Sequence, residues 1–102
     1  MDAKTLEALK GSIAKWEAIT AGTEADLMAD NCSLCQAFPC CMGCPVAEKV
    51  EVDGCNKTPW VKWHRAMSDR DISDRKADTP KLVDLAQAEL DFLRSLLPTE
   101  VA

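Results

Sequence analysis

The sequence predicts a mainly α-helical fold, in which two long amphipathic helices pack antiparallel and are capped by a cysteine-rich metal-binding loop segment and a short helix. Three observations lead to this prediction. Apolar residues recur at helical spacing near both ends of the chain, a Thr-Pro pair precedes each of two later helices, and all six cysteines lie between positions 32 and 55. A chain of 102 residues suits a single domain, residues 1–102, with a small core.

The N-terminal helix is predicted within residues 1–22. Its apolar residues are three or four positions apart, so they share one helix face from about residue 3 to residue 20. They are Leu6, Leu9, Ile13 and Trp16. Gly22 is a plausible end of this helix. Thr23, with Asp26 three residues later, predicts a weak capping box for a short following turn.

The cysteine-rich segment is assigned to residues 30–58. Within it, residues 33–38 predict one helical turn that Pro39 ends, because proline cannot continue a helix. Residues 46–52 are ambiguous between a short helix and a strand. Asp53-Gly54 is a turn signal.

A short helix is predicted at residues 59–67, with Thr58 as its N-cap and Pro59 at its first position. Residues 68–78 carry many charges and few large apolar side chains, so they predict an exposed connector.

The C-terminal helix, residues 80–97, is the clearest element of the sequence. Thr79-Pro80 repeats the start signal, and Pro98 follows the last apolar residue. Its wide apolar face consists of Leu82, Leu85, Ala86, Leu90, Phe92, Leu93, Leu96 and Leu97. The carboxylates Asp84, Glu89 and Asp91 are most simply its solvated face.

Composition and charge narrow the functional classes. A net charge of −5 disfavours broad binding to nucleic acid, which needs clustered Lys and Arg. No stretch approaches the roughly 18 apolar residues of a membrane span. The charged start lacks the apolar region of a secretion signal. We therefore expect a cytoplasmic protein, where thiols stay reduced and a dense cysteine cluster favours a metal site over disulfides.

The spacing of the cysteines predicts a four-thiolate metal site. Zinc prefers four tetrahedral ligands, often supplied as C-x2-C pairs. The candidate ligands are the two such pairs and one cysteine shortly before a helix start: Cys32, Cys35, Cys41, Cys44 and Cys55. Cys40 is the expected spare, because adjacent residues rarely both reach one metal ion. Which four of the five candidates bind stays open.

Zinc is the preferred metal, and an iron–sulfur cluster is the alternative. Four thiolates suit either one, and Cys44-Pro45 is similar to the C-P end of a ferredoxin run. Ferredoxin runs, however, space their first cysteines two residues apart, and this chain does not. Redox-active thiols and a disulfide framework remain further alternatives.

No catalytic site is predicted. A closed site of four cysteines leaves no position for water or substrate, so its role would be structural. The chain has one histidine, His64. It contains no H-E-x-x-H motif, Gly-rich phosphate loop or G-x-S-x-G motif.

Residues 56–65 form the one locally basic, aromatic stretch. It could bind a nucleic-acid base or an anionic partner through Lys57, Trp60, Lys62, Trp63, His64 and Arg65. The alternative, which we favour for both tryptophans, is that they pack in the core, because a small core needs large apolar side chains. His64 is expected to be hydrogen-bonded or at the surface.

The cysteine pattern resembles a group of small cysteine-rich phage and prophage proteins. Their motif is C-x-L-C, then C-x-x-C-P-[VI], then C-x-x-T-P-[YW], and the resemblance covers residues 32–60. It maps onto Cys32, Leu34, Cys35, Cys41, Cys44, Pro45, Val46, Cys55, Thr58, Pro59 and Trp60. Cys40 lies outside the pattern. The resemblance implies an accessory protein in a bacterial host cytoplasm and brings no known activity.

The preferred hypothesis is a non-enzymatic, zinc-stapled interaction module that binds a protein partner. Inhibition of that partner is one form of this hypothesis. Its acidic ends suit a basic partner. The alternatives are a nucleic-acid-binding zinc module that uses residues 56–65, and an iron–sulfur accessory protein. The wide apolar face of the C-terminal helix also allows a homodimer.

Overall fold

The computed structural model describes residues 3–27, 31–38, 44–45 and 58–97. These residues form α1 (Ala3–Thr20), α2 (Ser33–Ala37), α3 (Trp60–Met67) and α4 (Pro80–Ser95), with a 3-10 turn at Ile72–Asp74. No strand occurs among them. The mainly helical class predicted from the sequence is therefore confirmed. The ambiguous stretch 46–52 lies outside the described residues.

Gly22 ends α1, as the sequence predicted. Its φ of +80° is a left-handed conformation that glycine adopts without steric penalty. The Gly22 amide donates to the carbonyl of Ile19 at 2.9 Å, and the Thr23 amide donates to the carbonyl of Ala18 at 2.9 Å. These two bonds form a Schellman motif, which satisfies the last carbonyls of the helix.

The two Thr-Pro signals have different outcomes. Thr79 caps α4 as predicted, because its Oγ1 accepts a hydrogen bond from the Leu82 amide at 3.3 Å and Pro80 follows as the first helical residue. The prediction for Thr58 is wrong. Pro59 takes the cap position of α3 and no side chain caps it. The carbonyl of Thr58 instead accepts from the Val61 amide at 3.2 Å, so the helix begins with a tighter turn.

The core lies between α1 and α4, which pack against each other more extensively than any other pair of helices described. α3 covers this pair through Trp63 and Met67, both fully buried. The rings of Trp16 and Trp63 meet edge to face, with centroids 5.4 Å apart and an interplanar angle of 82°. This geometry is favourable for aromatic pairs.

Gly11 allows α2 to lie directly against α1. A methyl group added at this position would stand 2.9 Å from the Ser33 Cβ and closer still to its Oγ. Real side chains do not approach this closely, so glycine permits the contact. The first turn of α2, which carries Cys32 and Cys35, is thereby held beside the middle of α1.

The charged stretch 68–78 is only partly the exposed connector that was predicted. It contains the 3-10 turn, and its Ala77 is buried. The carbonyl of Arg75 accepts a hydrogen bond from the Asp26 amide at 3.0 Å. The connector therefore docks onto the segment that follows α1, because its backbone supplies a partner for a buried amide.

The helices of the described residues include none with the length and apolarity to cross a membrane.

Candidate functional site

The C-x2-C pair Cys32 and Cys35 lies at the start of α2. Cys32 occupies the cap position with extended backbone angles (φ −103°, ψ 108°), and its Sγ accepts a hydrogen bond from the Cys35 amide at 3.3 Å. A sulfur here takes the place that a Ser or Asp oxygen usually has at a helix cap. The second cysteine of the motif thus supplies a backbone donor to the first.

Ser12 joins this turn to α1. Its Oγ accepts a hydrogen bond from the Leu34 amide at 3.2 Å and lies 3.8 Å from the Cys32 Sγ. A hydroxyl has one proton and two lone pairs, so Ser12 accepts from Leu34 and also shares a hydrogen bond with the sulfur, in which either atom is the donor. Ser12 is 1% exposed, so this link belongs to the core.

These contacts favour the thiolate form of Cys32. The hydrogen bond from the Cys35 side chain is the largest influence, and the Cys35 amide, the Lys15 charge and Ser12 act in the same direction. Together they outweigh desolvation and lower the pKa of Cys32 from 9.0 to about 5. A thiolate is the form that binds metal ions and attacks electrophiles.

The structure brings together one part of the predicted ligand set. Cys32 and Cys35 are adjacent and half-buried, and Cys44 is buried against the hydrophobic core. Cys40, Cys41 and Cys55 lie outside the described residues. Within the part of the chain that is described, no three or more His, Cys, Asp or Glu side chains converge on one point. The four-thiolate site therefore stays a prediction.

A buried carboxylate, Asp26, lies beneath α3. The Nζ of Lys15 is 2.8 Å from its Oδ1, and the indole N–H groups of Trp60 and Trp63 donate to its Oδ2 at 3.0 and 3.1 Å. Asp26 is 0% exposed, and such a charge is stable only when it is paired and hydrogen-bonded. The predicted capping box at Thr23 and Asp26 is therefore wrong, and Asp26 instead joins α1 to α3.

Glu89 is the second buried carboxyl group and corrects another prediction. It was assigned to the solvated face of the C-terminal helix, yet it is 4% exposed. Burial, followed by the nearby charge of Asp26, raises its pKa from 4.5 to about 8. Its Oε1 has no hydrogen-bond partner among the described residues. The raised pKa favours the neutral form of Glu89, which lowers the penalty of its burial.

The basic, aromatic stretch divides into a buried and an exposed part. Trp63 is fully buried, so its packing in the core excludes it from a partner-binding surface. Trp60 is half-buried and stacks on His64, with ring centroids 4.6 Å apart. Lys62 and Arg65 are exposed. Lys57 lies outside the described residues.

Besides stacking on Trp60, His64 contacts the connector, residues 68–78. The Arg75 Nη1 is 3.3 Å from the His64 Nδ1. Arg can only donate, so the His64 Nδ1 is the acceptor in this bond. The expectation of a hydrogen-bonded His64 is confirmed.

Sequence reasoning missed the polar residues of α1 that support the cysteine turn and Asp26. Ser12 and Lys15 are buried beside the apolar face, although neither residue type predicts burial. A weak signal exists: Ala8, Ser12, Lys15 and Ile19 are spaced by three or four positions and widen the face that Leu9, Ile13 and Trp16 define.

Comparison with protein-family models, curated proteins and solved structures finds no match to this chain.

Proposed function

We propose that the chain is a small, non-enzymatic interaction module whose cysteine-rich segment holds a structural zinc ion. The arrangement of Cys32 is the observation that carries this proposal. Its sulfur accepts hydrogen bonds from the neighbouring cysteine, and its pKa is lowered to about 5. A pre-formed thiolate next to a second cysteine is half of a tetrahedral zinc site.

The proposed ligands are Cys32 and Cys35 together with two of Cys41, Cys44 and Cys55. Burial of Cys44 at 7% exposure supports its inclusion, since structural zinc sites exclude solvent. Lys15 supports the site electrostatically, because its charge favours the Cys32 thiolate and offsets the negative charge that four thiolates bring.

In the proposed architecture, α1 and α4 run antiparallel and the cysteine-rich segment and α3 cap them. The extensive packing of α1 on α4 supports their pairing. The contact between Arg94 and Glu17 at 3.2 Å joins the last turns of both helices, which an ideal antiparallel pair would keep apart. The relative direction of the helices therefore stays a prediction.

Elemental analysis combined with thiol titration tests the zinc site. We expect about one zinc ion per chain, bound by four of the six cysteines, with one or both of the two remaining thiols reactive in the native protein. Cys32→Ser should lose the metal, whereas the matched variant Cys40→Ser should keep it. A brown protein with broad visible absorption would show an iron–sulfur cluster instead. Protein without metal and without reactive thiols would indicate disulfides.

A protein partner is proposed on the basis of charge and of the resemblance to phage proteins. The acidic residues concentrate toward the two ends of the chain, and the net charge is −5, so a basic partner in a bacterial host cytoplasm is favoured by long-range attraction. Binding should therefore weaken as salt is raised from 50 to 500 mM, measured by calorimetry with a partner isolated by affinity capture. A partner whose affinity is unchanged by salt would contradict this reasoning.

Nucleic-acid binding through α3 is the second candidate, because Lys62 and Arg65 are exposed beside the half-buried Trp60. A gel-shift assay at low salt with single-stranded oligonucleotides separates the two candidates. Binding that is lost in Lys62→Glu would favour nucleic acid, whereas no shift at low salt would remove this candidate.

Light scattering on the same sample tests the homodimer proposed through the C-terminal helix.

A further inference from the structure

We propose that Cys32 and Cys35 form a dithiol–disulfide couple that exchanges electrons with low-molecular-weight disulfides. This activity goes beyond the structural zinc site proposed above and does not require it. The couple operates when no metal ion is bound to the two sulfurs.

The first argument is that the two cysteines are held on one turn with the Cys32 sulfur against the backbone of Cys35. The Cys35 amide donates a hydrogen bond to the Cys32 Sγ at 3.3 Å. Disulfide formation needs two sulfurs that can close to about 2 Å without large backbone movement. Two residues of one helical turn separate the pair, a spacing that brings the two side chains to the same side of the turn.

The second argument is that the turn is anchored independently of the two sulfurs. The Leu34 amide donates to the buried Ser12 Oγ at 3.2 Å, and Gly11 lets Ser33 rest against α1. The cysteines therefore sit on a support that persists whether they are reduced or oxidised. A support of this kind limits the strain that a new bond imposes, and strain raises the reduction potential of a disulfide.

The third argument is that a small disulfide can reach both cysteines and that the surroundings of the two sulfurs differ. Cys32 and Cys35 are both half-buried rather than enclosed, so a small disulfide can reach them. The Cys35 amide donates a hydrogen bond to the Cys32 sulfur, and the Ser12 hydroxyl lies 3.8 Å from the same atom. Cys32 is therefore the attacking sulfur and Cys35 is the resolving one.

The reaction balances with a low-molecular-weight disulfide such as oxidised glutathione as the oxidant. The Cys32 sulfur attacks one sulfur of the oxidant and displaces the first thiolate, which leaves a mixed disulfide on Cys32. Cys35 then loses its proton, attacks the Cys32 sulfur and displaces the second thiolate. Two electrons pass from the protein to the oxidant, and the two released thiolates each take up a proton.

The test uses the full chain, reduced and stripped of metal by a chelator under argon. The protein is equilibrated in buffers of increasing ratio of oxidised to reduced glutathione, and the remaining thiols are then alkylated. Tandem mass spectrometry locates each modification. We expect the Cys32–Cys35 disulfide to form at a lower ratio than any other pair, with the other cysteines still alkylated at that point.

Three variants separate the roles. Cys35→Ser should accumulate glutathione on Cys32, because the resolving sulfur is missing. Cys32→Ser should react with oxidised glutathione at least about tenfold more slowly, because the activated sulfur is missing. The control Cys40→Ser should titrate like the unchanged protein.

The proposal is overturned if Cys32 and Cys35 stay alkylated across the series, if either pairs preferentially with another cysteine, or if Cys40→Ser abolishes the disulfide. These results are independent of metal content, because the protein is measured without metal. Absence of zinc from the native protein would therefore refute the structural site without affecting the redox couple. A native protein that contains zinc but forms no Cys32–Cys35 disulfide after the metal is removed would refute the redox couple without affecting the structural site.

Discussion

Asp26 accepts hydrogen bonds from two elements of the fold at once. Lys15 of α1 pairs with one of its oxygens, and Trp60 and Trp63 of α3 donate to the other. Asp26 is therefore a shared acceptor for one residue of α1 and two residues of α3, and the four residues form one polar network. Together with the buried side chains of Trp63 and Met67, this carboxylate orients α3 so that Lys62 and Arg65 are exposed.

Replacing Asp26 by Asn should destabilise the protein strongly. The amide keeps an acceptor for the indoles but breaks the buried ion pair with Lys15, which costs about 3–5 kcal/mol. Urea unfolding followed by tryptophan fluorescence would measure the loss. The control is Glu17→Gln, which breaks the exposed pair with Arg94 and should cost less than about 1 kcal/mol. Equal losses in the two variants would contradict the role assigned to Asp26.

Glu89 makes stability depend on pH in an unusual direction for a carboxyl group. Its pKa is about 8 in the folded protein against a reference value of 4.5. Between these values the unfolded chain is ionised and the folded chain is protonated, so the folded state binds more protons. The Glu89 contribution is therefore fully present below pH 4.5 and is lost as the pH rises toward 8.

Glu89→Gln should remove this dependence. The variant should be more stable than the unchanged protein near pH 8, and the difference should shrink toward pH 5 by up to about 1.4 kcal/mol per pH unit. Chemical denaturation at pH 5, 6.5 and 8 measures it at constant metal content. Asp84→Asn, an exposed position on the same helix, is the control and should show no such trend. A parallel trend in both variants would refute the burial argument.

At the level of elements, the contact between α1 and α2 is the one that positions the cysteines. α2 has five residues, too few to be stable alone, because helix nucleation is unfavourable and short helices depend on packing. Its stability comes from the close approach at Gly11 and from the hydrogen bond between Leu34 and Ser12. The geometry of Cys32 and Cys35 is therefore a property of the α1–α2 pair.

Gly11→Ala should push α2 away from α1 in spite of the higher helix propensity of alanine. The propensity gain is about 1 kcal/mol, whereas overpacking against Ser33 costs typically 1–3 kcal/mol. We expect reduced thermal stability and faster alkylation of Cys35 by iodoacetamide. Combining it with Ser33→Gly removes the clashing atoms and should restore slow alkylation. If Gly11→Ala alone leaves the alkylation rate unchanged, the close contact does not control the cysteine turn.

For the molecule as a whole, the zinc proposal predicts that stability depends on the metal. A bound ion that the unfolded chain does not hold adds to the free energy of unfolding by mass action. A strong chelator should therefore lower Tm by several degrees, and zinc, but not magnesium, should restore it, as followed by circular dichroism. In Cys32→Ser the chelator should have no further effect. A Tm that is insensitive to the chelator in the native protein would contradict a structural zinc ion.

The helical class and most ends of the long helices were predictable from the sequence alone, although the last helix ends at Ser95 and not at residue 97 as predicted. Apolar spacing located α1 and α4, Gly22 and Thr79 marked two of their ends, and residues 33–38 indicated the α2 turn. These features depend on local physics: the helical period, the conformations open to glycine and the donors left free at a helix end. A single sequence therefore contains enough information for them.

Only the tertiary structure decided which polar residues are buried and what they contact. Ser12, Lys15, Asp26 and Glu89 are residue types that usually face solvent, and their partners lie up to tens of residues away along the chain. The sequence located the thiols of Cys32 and Cys35 but not the serine and lysine of α1 that favour a thiolate there. Pairings of this kind arise from the packing of distant segments. Polar groups can be buried there because donors and acceptors from these segments meet in space.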